Sequence, residues 1–284
     1  MSIIHLESST LGIVFKALIE AGNAIIKVYS SLDPQTTYKS DLSPVTLADR
    51  MAHDCITRHL AATPWPVLSE EGMVIPYAER INWSRFWLVD PMDGTKEFLK
   101  GNDEFTVNIA LIQHHEALAG WIYAPVYDVL YFGVNRSELF RWDKVSRLNP
   151  AIWQDDSWRS GQINYLYQRN PGICRVAASR SHFNSKTAAY LEQLKQDYEQ
   201  VEIHHVGSSL KFCRIAEGSL DLYPRFGPIM EWDTAAGQAI AEAGGASVLA
   251  FDTQQPLRYN TKEGLFSPDF VVTGSGMDMK KQIP

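Results

Sequence analysis

Cysteine is scarce in this 284-residue chain. Cys55, Cys174 and Cys213 are odd in number, widely spaced and in no C-x-x-C pattern. They read as buried, reduced thiols of a cytoplasmic protein, not as a disulfide framework. Positive charge is also short: 26 Lys and Arg stand against 33 Asp and Glu, a formal charge of −7. That disfavours a sequence-independent nucleic-acid binder, which needs basic surface. An anionic ligand would need local cations to overcome the global field, and a metal site built on carboxylates would supply them. The start has no basic stretch followed by a long apolar core, so a signal peptide is not expected. The longest apolar-looking segment, 118–134, is interrupted by Pro125 and Asp128 and is no membrane span. There is no repeat and no low-complexity tract. With 45% hydrophobic residues the length suits one large domain or two ordinary ones, and two is the expectation.

What is present centres on Trp87-Leu88-Val89-Asp90-Pro91-Met92-Asp93-Gly94-Thr95-Lys96-Glu97-Phe98. An apolar run, Phe86 to Val89, ends in Asp90. Pro91 cannot donate to a ladder, which predicts that the strand stops there. Asp93-Gly94-Thr95 predicts a tight turn. Two carboxylates three residues apart at a strand end can face one point, and like charges that close are costly unless a cation sits between them. Oxygen ligands alone suit a hard ion, Mg²⁺ or Mn²⁺. The same residues also read as an Asp-Gly turn in which Asp90 caps the next element. Val67-Leu68 repeats the arrangement, a short strand ending at Ser69-Glu70-Glu71-Gly72. Two such ends side by side would put three carboxylates around one cavity, whereas in isolation Glu70 and Glu71 read as solvated loop acids.

Ser8, Ser9 and Thr10 offer N-caps to an amphipathic helix over 10–31, with Leu11, Val14, Leu18, Ala21, Ile25 and Val28 at steps of three and four. A second helix opens at Val45-Thr46-Leu47-Ala48-Asp49, where Thr46-x-x-Asp49 forms a capping-box pattern. Residues 105–112 alternate as a half-buried strand, and strands at 117–123, 129–134 and 138–142 complete an antiparallel meander. Residues 143–171 are polar, hold Pro150 and Pro171, and carry Trp153 and Trp158 without clear period; they read as a connection or surface insertion. Beyond it strand and helix alternate, which is an α/β pattern. The organisation predicted is thus 1–150, helices plus antiparallel sheet, and 151–284, an α/β domain. The strand-to-helix turns at 179–184 and 207–210 are natural anion sites. Lys211, in the first turn of a helix, is unfavourable for the dipole unless an anion binds nearby, or is simply solvated. Arg180 and His182 could be ordinary polar loop residues, and Asp233 by default a cap or a first-turn acid. Gly207-Ser208-Ser209-Leu210-Lys211 has the wrong spacing for a nucleotide P-loop.

Three motifs in order, Ser69-Glu70-Glu71, Asp90-Pro91-Met92-Asp93-Gly94-Thr95 and Glu231-Trp232-Asp233-Thr234-Ala235-Ala236-Gly237, resemble those of the lithium-sensitive, Mg²⁺-dependent phosphomonoesterases of the inositol monophosphatase superfamily. Lys96-Glu97-Phe98, 102–112, Ser179-Arg180-Ser181-His182, Gly207 to Cys213 and Tyr223-Pro224-Arg225-Phe226-Gly227-Pro228 are similar to its 3'(2'),5'-bisphosphate nucleotidase branch. The resemblance implies the layered α/β/α/β/α sandwich of sugar phosphatases. It implies removal of the 3'-phosphate from adenosine 3',5'-bisphosphate or its 5'-phosphosulfate, a place in sulfur metabolism, and two or three Mg²⁺ per site, with Mn²⁺ as a substitute.

Carried onto this chain, the resemblance gives Glu70, Asp90 and the Met92 carbonyl to one Mg²⁺, and Asp90, Asp93 and Asp233 to another. Thr95, oriented by Asp49 or Glu70, helps activate water. Gly94 and Thr95 hold the scissile phosphate; Ser179, His182, Gly207 and Lys211 hold the nucleotide, with Asp233 also at the substrate. The partner implied is a small nucleotide, not a nucleic-acid polymer, met in the cytoplasm; peripheral association at the inner face of the membrane stays open, without a visible anchor, as does the number of copies. The alternative on the same scaffold is an inositol or sugar phosphate phosphatase. A haloacid-dehalogenase phosphatase needs D-x-D-G-T, not the D-x-x-D-G-T found here. A non-catalytic phosphonucleotide binder is disfavoured because every acidic ligand is present.

Overall fold

The computed structural model describes residues 6–31, 35, 37–38, 44–153, 156–163, 170–180 and 183–277. Helix α1 (Ser8–Tyr29) buries the stripe Leu11, Val14, Leu18, Ala21, Ile25 and Val28 that its spacing requires. Its N-cap is Glu7, without a side-chain bond to the helix, rather than one of the three hydroxyls. A short ribbon, β1 (Thr37–Tyr38) and β2 (Pro44–Val45), leads into α2 (Leu47–Leu60). There follow β3 (Val67–Ser69), α3 (Tyr77–Arg80), β4 (Arg85–Asp93), α4 (Thr95–Lys100), β5 (Thr106–Gln113), β6 (Glu116–Ala124), β7 (Val129–Val134) and β8 (Glu138–Asp143). They make a six-stranded sheet in sequence order, with β3 parallel to β4 and the rest an antiparallel meander.

Two expectations change here. Pro91 does not end its strand: β4 runs on to Asp93, and the register against β5 slips by one residue, with Asp90 opposite Asn108 and Asp93 opposite Thr106. At such a bulge the extra residue needs no ladder hydrogen bond, so a residue without an N–H fits. Strand β5 is buried on both faces rather than half-buried, apart from its last residue, because helices cover both sides of the sheet.

The second sheet is built from β9 (Ile173–Ala178), β10 (Gln200–His205), β11 (Leu222–Arg225), β12 (Ser247–Ala250) and β13 (Phe270–Thr273), in the order β10-β9-β11-β13-β12. Strand β9 pairs parallel with β10 and with β11, and β13 is antiparallel to both its neighbours. Between its strands lie α5 (Ser185–Leu194), capped by Asn184, α6 (Leu210–Ala216) and α7 (Glu231–Ala243). Three apolar clusters stack the layers. Trp87 and Val89 of β4 pack with α1 and α2, and Leu88 on the opposite face packs with α6, α7 and the inner face of the second sheet. Tyr190, Leu191 and Leu194 of α5 cover the outer face. The result is the α/β/α/β/α sandwich of the sugar phosphatases. Among the described residues no helix is long and apolar enough to cross a membrane.

Helix α7 sits directly on the first sheet because two glycines leave room. A Cβ at Gly120 would stand 2.3 Å from the Ala236 carbonyl oxygen, and one at Gly133 2.5 Å from the Ile240 Cα. The close seat carries the first turn of α7 to the end of β4.

The stretch after β8 is not simply a surface insertion. It forms three short 3₁₀ helices, Val145–Arg147, Pro150–Trp153 and Asp156–Gly161, which explains its missing α or β period. Trp153 stacks on Phe15 of α1, and Trp158 packs against Phe132 and Phe140. Residues 154–155 and 164–169 lie outside the described residues. Trp153→Ala is expected to cost about 3–5 kcal/mol, the usual range for emptying a buried tryptophan site, read by chemical denaturation. A loss below about 1 kcal/mol, typical of a surface position, would return the segment to a superficial role.

Candidate active site

Parallel pairing sets the geometry. Ser69 and Val89 are partners, so Glu70, just past the end of β3, lies beside Asp90 at the bulge of β4, tied by the Glu70 N–H to the Val89 carbonyl at 3.1 Å. The bulge in β4 turns Asp90 inward, where its Oδ1 accepts the Met92 N–H at 3.0 Å. From the far side α7 delivers Asp233, which accepts the Met230 N–H at 3.1 Å as a first-turn acid does. Glu70, Asp90 and Asp233 each bring a carboxylate oxygen within 4.8 Å of the others. They line a cavity of about 190 Å³ that Met92, Asp93, Gly94, Thr95, Ser179, Ser208, Lys211 and Arg225 also line.

This cluster strains against itself. Burial first, then the charges of Glu70, Asp93 and Asp233, push the Asp90 carboxyl well above the usual carboxylate range. Burial, then Asp93 and Glu70, do the same to Asp233. An oxygen-only set of acids, Asp90 buried and Glu70 and Asp233 half-buried, that repel one another suits a hard divalent cation in their midst. Asp93 is outside the trio, and its Oδ2 accepts the Ser209 hydroxyl at 2.6 Å.

Asp49 serves two ends at once. Its Oδ2 accepts the Thr46 N–H at 2.6 Å and the Thr46 hydroxyl at 2.7 Å, so the capping reading holds. Its Oδ1 accepts the Thr95 hydroxyl at 3.2 Å, which links the helix start to the cavity wall. Burial raises its pKa, and the Thr46 bonds oppose that rise. Thr95 begins α4 just after Gly94, whose φ of 97° and close approach to the Glu104 carbonyl leave no room for a side chain.

Ser179 and Lys211 line the cavity, but Gly207 does not: its N–H donates to the Glu104 carboxylate at 2.8 Å, which Arg180 also grips. His182 lies outside the described residues. Lys211 is not solvated. It is 5% exposed, donates to the Ser208 carbonyl and to that of Val206 at 3.4 Å, and lies over the Tyr223 ring. Burial pushes its pKa down to about 8, the neighbouring Arg225 adds to that, and Asp93 opposes it.

Sequence reasoning missed Ser208, Ser209, Arg225 and Asn108 as individual side chains. Thr106 donates to Asn108 at 2.9 Å, Asn108 to Ser209 at 2.9 Å, and Ser209 to Asp93, a buried chain that joins the two sheets' layers at the acid cluster. Its one advance signal was two polar residues, Thr106 and Asn108, on alternate positions of an otherwise apolar strand.

A model of the inositol monophosphatase family matches residues 7–277. The chain is 44% identical over 257 residues to the 3'(2'),5'-bisphosphate nucleotidase CysQ of Escherichia coli strain K12, covering 89% of this chain and 95% of that one. It is 34% identical to the protein of the same name from Haemophilus influenzae, over 83% and 82% of the two chains. The crystal structure of CysQ from Bacteroides thetaiotaomicron superposes with a TM-score of 0.84 at 40% identity, covering 95% of this chain and 98% of the other. An inositol monophosphatase from Anabaena matches at TM-score 0.68 and 21% identity over 96% of each chain, a likeness of fold.

The repulsion within the acid cluster has a measurable sign. A carboxyl whose folded pKa is raised binds more protons folded than unfolded, so stability falls as pH rises from the ordinary Asp value, about 4, through the raised folded value. In chelator, Asp90→Asn should therefore melt above the parent at pH 8 and lose much of that advantage by pH 4, while Mg²⁺ raises the melting temperature of the parent and not of the variant. Equal melting curves with and without Mg²⁺ for the parent would count against a cation site.

Proposed function

Because this chain belongs to the inositol monophosphatase family, we propose that it is a divalent-metal-dependent phosphomonoesterase. It removes the 3'-phosphate from adenosine 3',5'-bisphosphate, and from 3'-phosphoadenosine 5'-phosphosulfate, leaving AMP or the matching phosphosulfate. The observation that carries this reading is the pairing of opposites in one cavity: a trio of crowded carboxylates and a buried lysine, in a chain 44% identical to an enzyme named a bisphosphate nucleotidase.

In this reading Glu70, Asp90 and the Met92 carbonyl hold one Mg²⁺, and Asp90, Asp93 and Asp233 hold a second. When bound, the metal supplies Lewis acidity and positive charge at the phosphoryl group. Thr95 takes the proton of the attacking water as its own hydroxyl proton moves to Asp49, the partner it already has at 3.2 Å. Glu70 helps to orient that water. Gly94 and Thr95 hold the scissile phosphate, and Asp233 contacts the substrate. Ser179, His182 and Lys211 hold the nucleotide, while Gly207, whose N–H is taken by Glu104, only braces the turn before Lys211. Lys211 offers a full charge without a competing ion pair among the described residues, which suits an anionic substrate.

The test is phosphate release from adenosine 3',5'-bisphosphate with and without Mg²⁺, beside inositol 1-phosphate. Fast, Mg²⁺-dependent release from the nucleotide and little from the inositol ester is expected; preference for the inositol ester would overturn the substrate assignment. A second outcome follows from Lys211. Its charge is present below about pH 8, so kcat/KM for the bisphosphate should fall as pH rises through 8, since that parameter reports the free enzyme. Lys211→Arg, which stays charged, should carry the falling limb to higher pH. A limb that does not move would remove Lys211 from substrate binding.

A further inference from the structure

Helix α2 reaches toward the acid cluster twice. Asp49 and His53 stand one helical turn apart, so they share a face of the helix. Asp49 accepts the Thr95 hydroxyl at 3.2 Å. One turn on, the His53 Nδ1 and the Ser69 hydroxyl share a hydrogen bond at 2.9 Å. Ser69 is 8% exposed, and a hydroxyl so shielded needs a partner. Ser69 closes β3 opposite Val89, and its carbonyl accepts the Gly72 N–H at 3.0 Å. That bond closes a four-residue turn whose two central members are Glu70 and Glu71. The orientation of the turn therefore sets where both carboxylates point. His53 also lies against its far end, where a Cβ on Gly72 would stand 3.6 Å from the His53 Cε1.

The three clustered acids are not held alike. Asp90 and Asp233 accept backbone N–H groups of their own elements. Glu70 sits in a turn beyond a three-residue strand, and its charge and those of Asp90 and Asp233 repel. A turn under that load keeps its place only when it is braced from behind. His53 is not among the residues that line the cavity, so it works on the acids through Ser69 and not on the substrate.

We propose that His53 is a positioning residue: through Ser69 it fixes the turn over 69–72 and so holds Glu70 where it can share a cation with Asp90 and Asp233. This rests on the reading that Glu70 is a metal ligand. One face of α2 then braces both groups assigned to the attacking water, Thr95 through Asp49 and Glu70 through His53. Outer partners of metal ligands change metal affinity or activity about 10–100-fold when they are removed.

The test compares the parent with four variants. His53→Phe keeps a ring and loses the nitrogen, Ser69→Ala removes the hydroxyl, a third variant carries both changes, and His53→Asn returns a polar atom near the place of Nδ1. Mn²⁺ binding to the metal-free protein, read by calorimetry without substrate, should weaken about tenfold in each single variant and no further in the double, because both changes remove one contact. The Mg²⁺ concentration for half-maximal phosphate release from adenosine 3',5'-bisphosphate should rise by about the same factor, with KM for the nucleotide at saturating Mg²⁺ unchanged. His53→Asn should recover part of both losses. A merely structural contact would lower the melting temperature in chelator and leave both metal constants alone; that result overturns the inference, as do losses that multiply in the double variant. Nucleotide cleavage by the parent, with Mn²⁺ binding unaltered in His53→Phe, would sink the positioning role and leave the reaction standing. Weaker Mn²⁺ binding in the single variants, with no nucleotide cleaved by the parent, would sink the reaction and leave the positioning role standing.

Discussion

The repulsion among Glu70, Asp90 and Asp233 is the constraint on which this molecule turns. Three carboxylates within 4.8 Å of one another, one of them 1% exposed, are unfavourable in any chain left to itself. They stay together because each is fastened to a different rigid element: Glu70 to the end of a parallel strand pair, Asp90 to a bulge, Asp233 to the first turn of α7. The glycine seats at 120 and 133 let that helix lie close enough to bring its acid to the strand ends. The apolar layers on both faces of the first sheet supply the stability that the site itself withholds.

Around that centre the polar residues act as braces. Asp49 spends one oxygen on its own helix and the other on Thr95. Ser209, held by Asn108, takes the Asp93 carboxylate. Glu104 ties the Gly207 turn to Arg180 across the two halves of the chain. These bonds link segments far apart in sequence, so the cavity's shape depends on both sheets being assembled. Arg225 and Lys211 stand out against this economy because among the described residues neither forms an ion pair with a carboxylate, and both line the cavity that the acids line. An acidic protein of net charge −7 can thus attract a dianion at short range, where a dry local field outweighs distant surface charge.

Much was legible in advance, for identifiable reasons. The period of Leu11 to Val28, the alternation of the meander strands and the strand-end acids are local patterns, and local patterns survive folding when the tertiary structure agrees with them. Pro91 misled because losing a donor ends a regular ladder but not a bulge, and a bulge is defined by the partner strand. Trp153 and Trp158 misled because 3₁₀ pieces have no long period and their burial depends on ring partners, Phe15, Phe132 and Phe140, each 18 or more residues from the tryptophan it meets.

From the sequence alone came the order of the longer helices and strands, the three acidic motifs and the family likeness, since each is written in neighbouring residues; the ribbon β1–β2, α3 and the 3₁₀ helices were not read there. Only the tertiary structure decided that Lys211 and Arg225 are buried rather than solvated, that Asp49 caps and reaches Thr95 at once, and that Asn108 and Ser209 meet behind Asp93. Those are properties of long-range contacts. Burial and partnership depend on which distant surfaces close over a side chain, and a charged residue carries no local mark of the dielectric it will occupy.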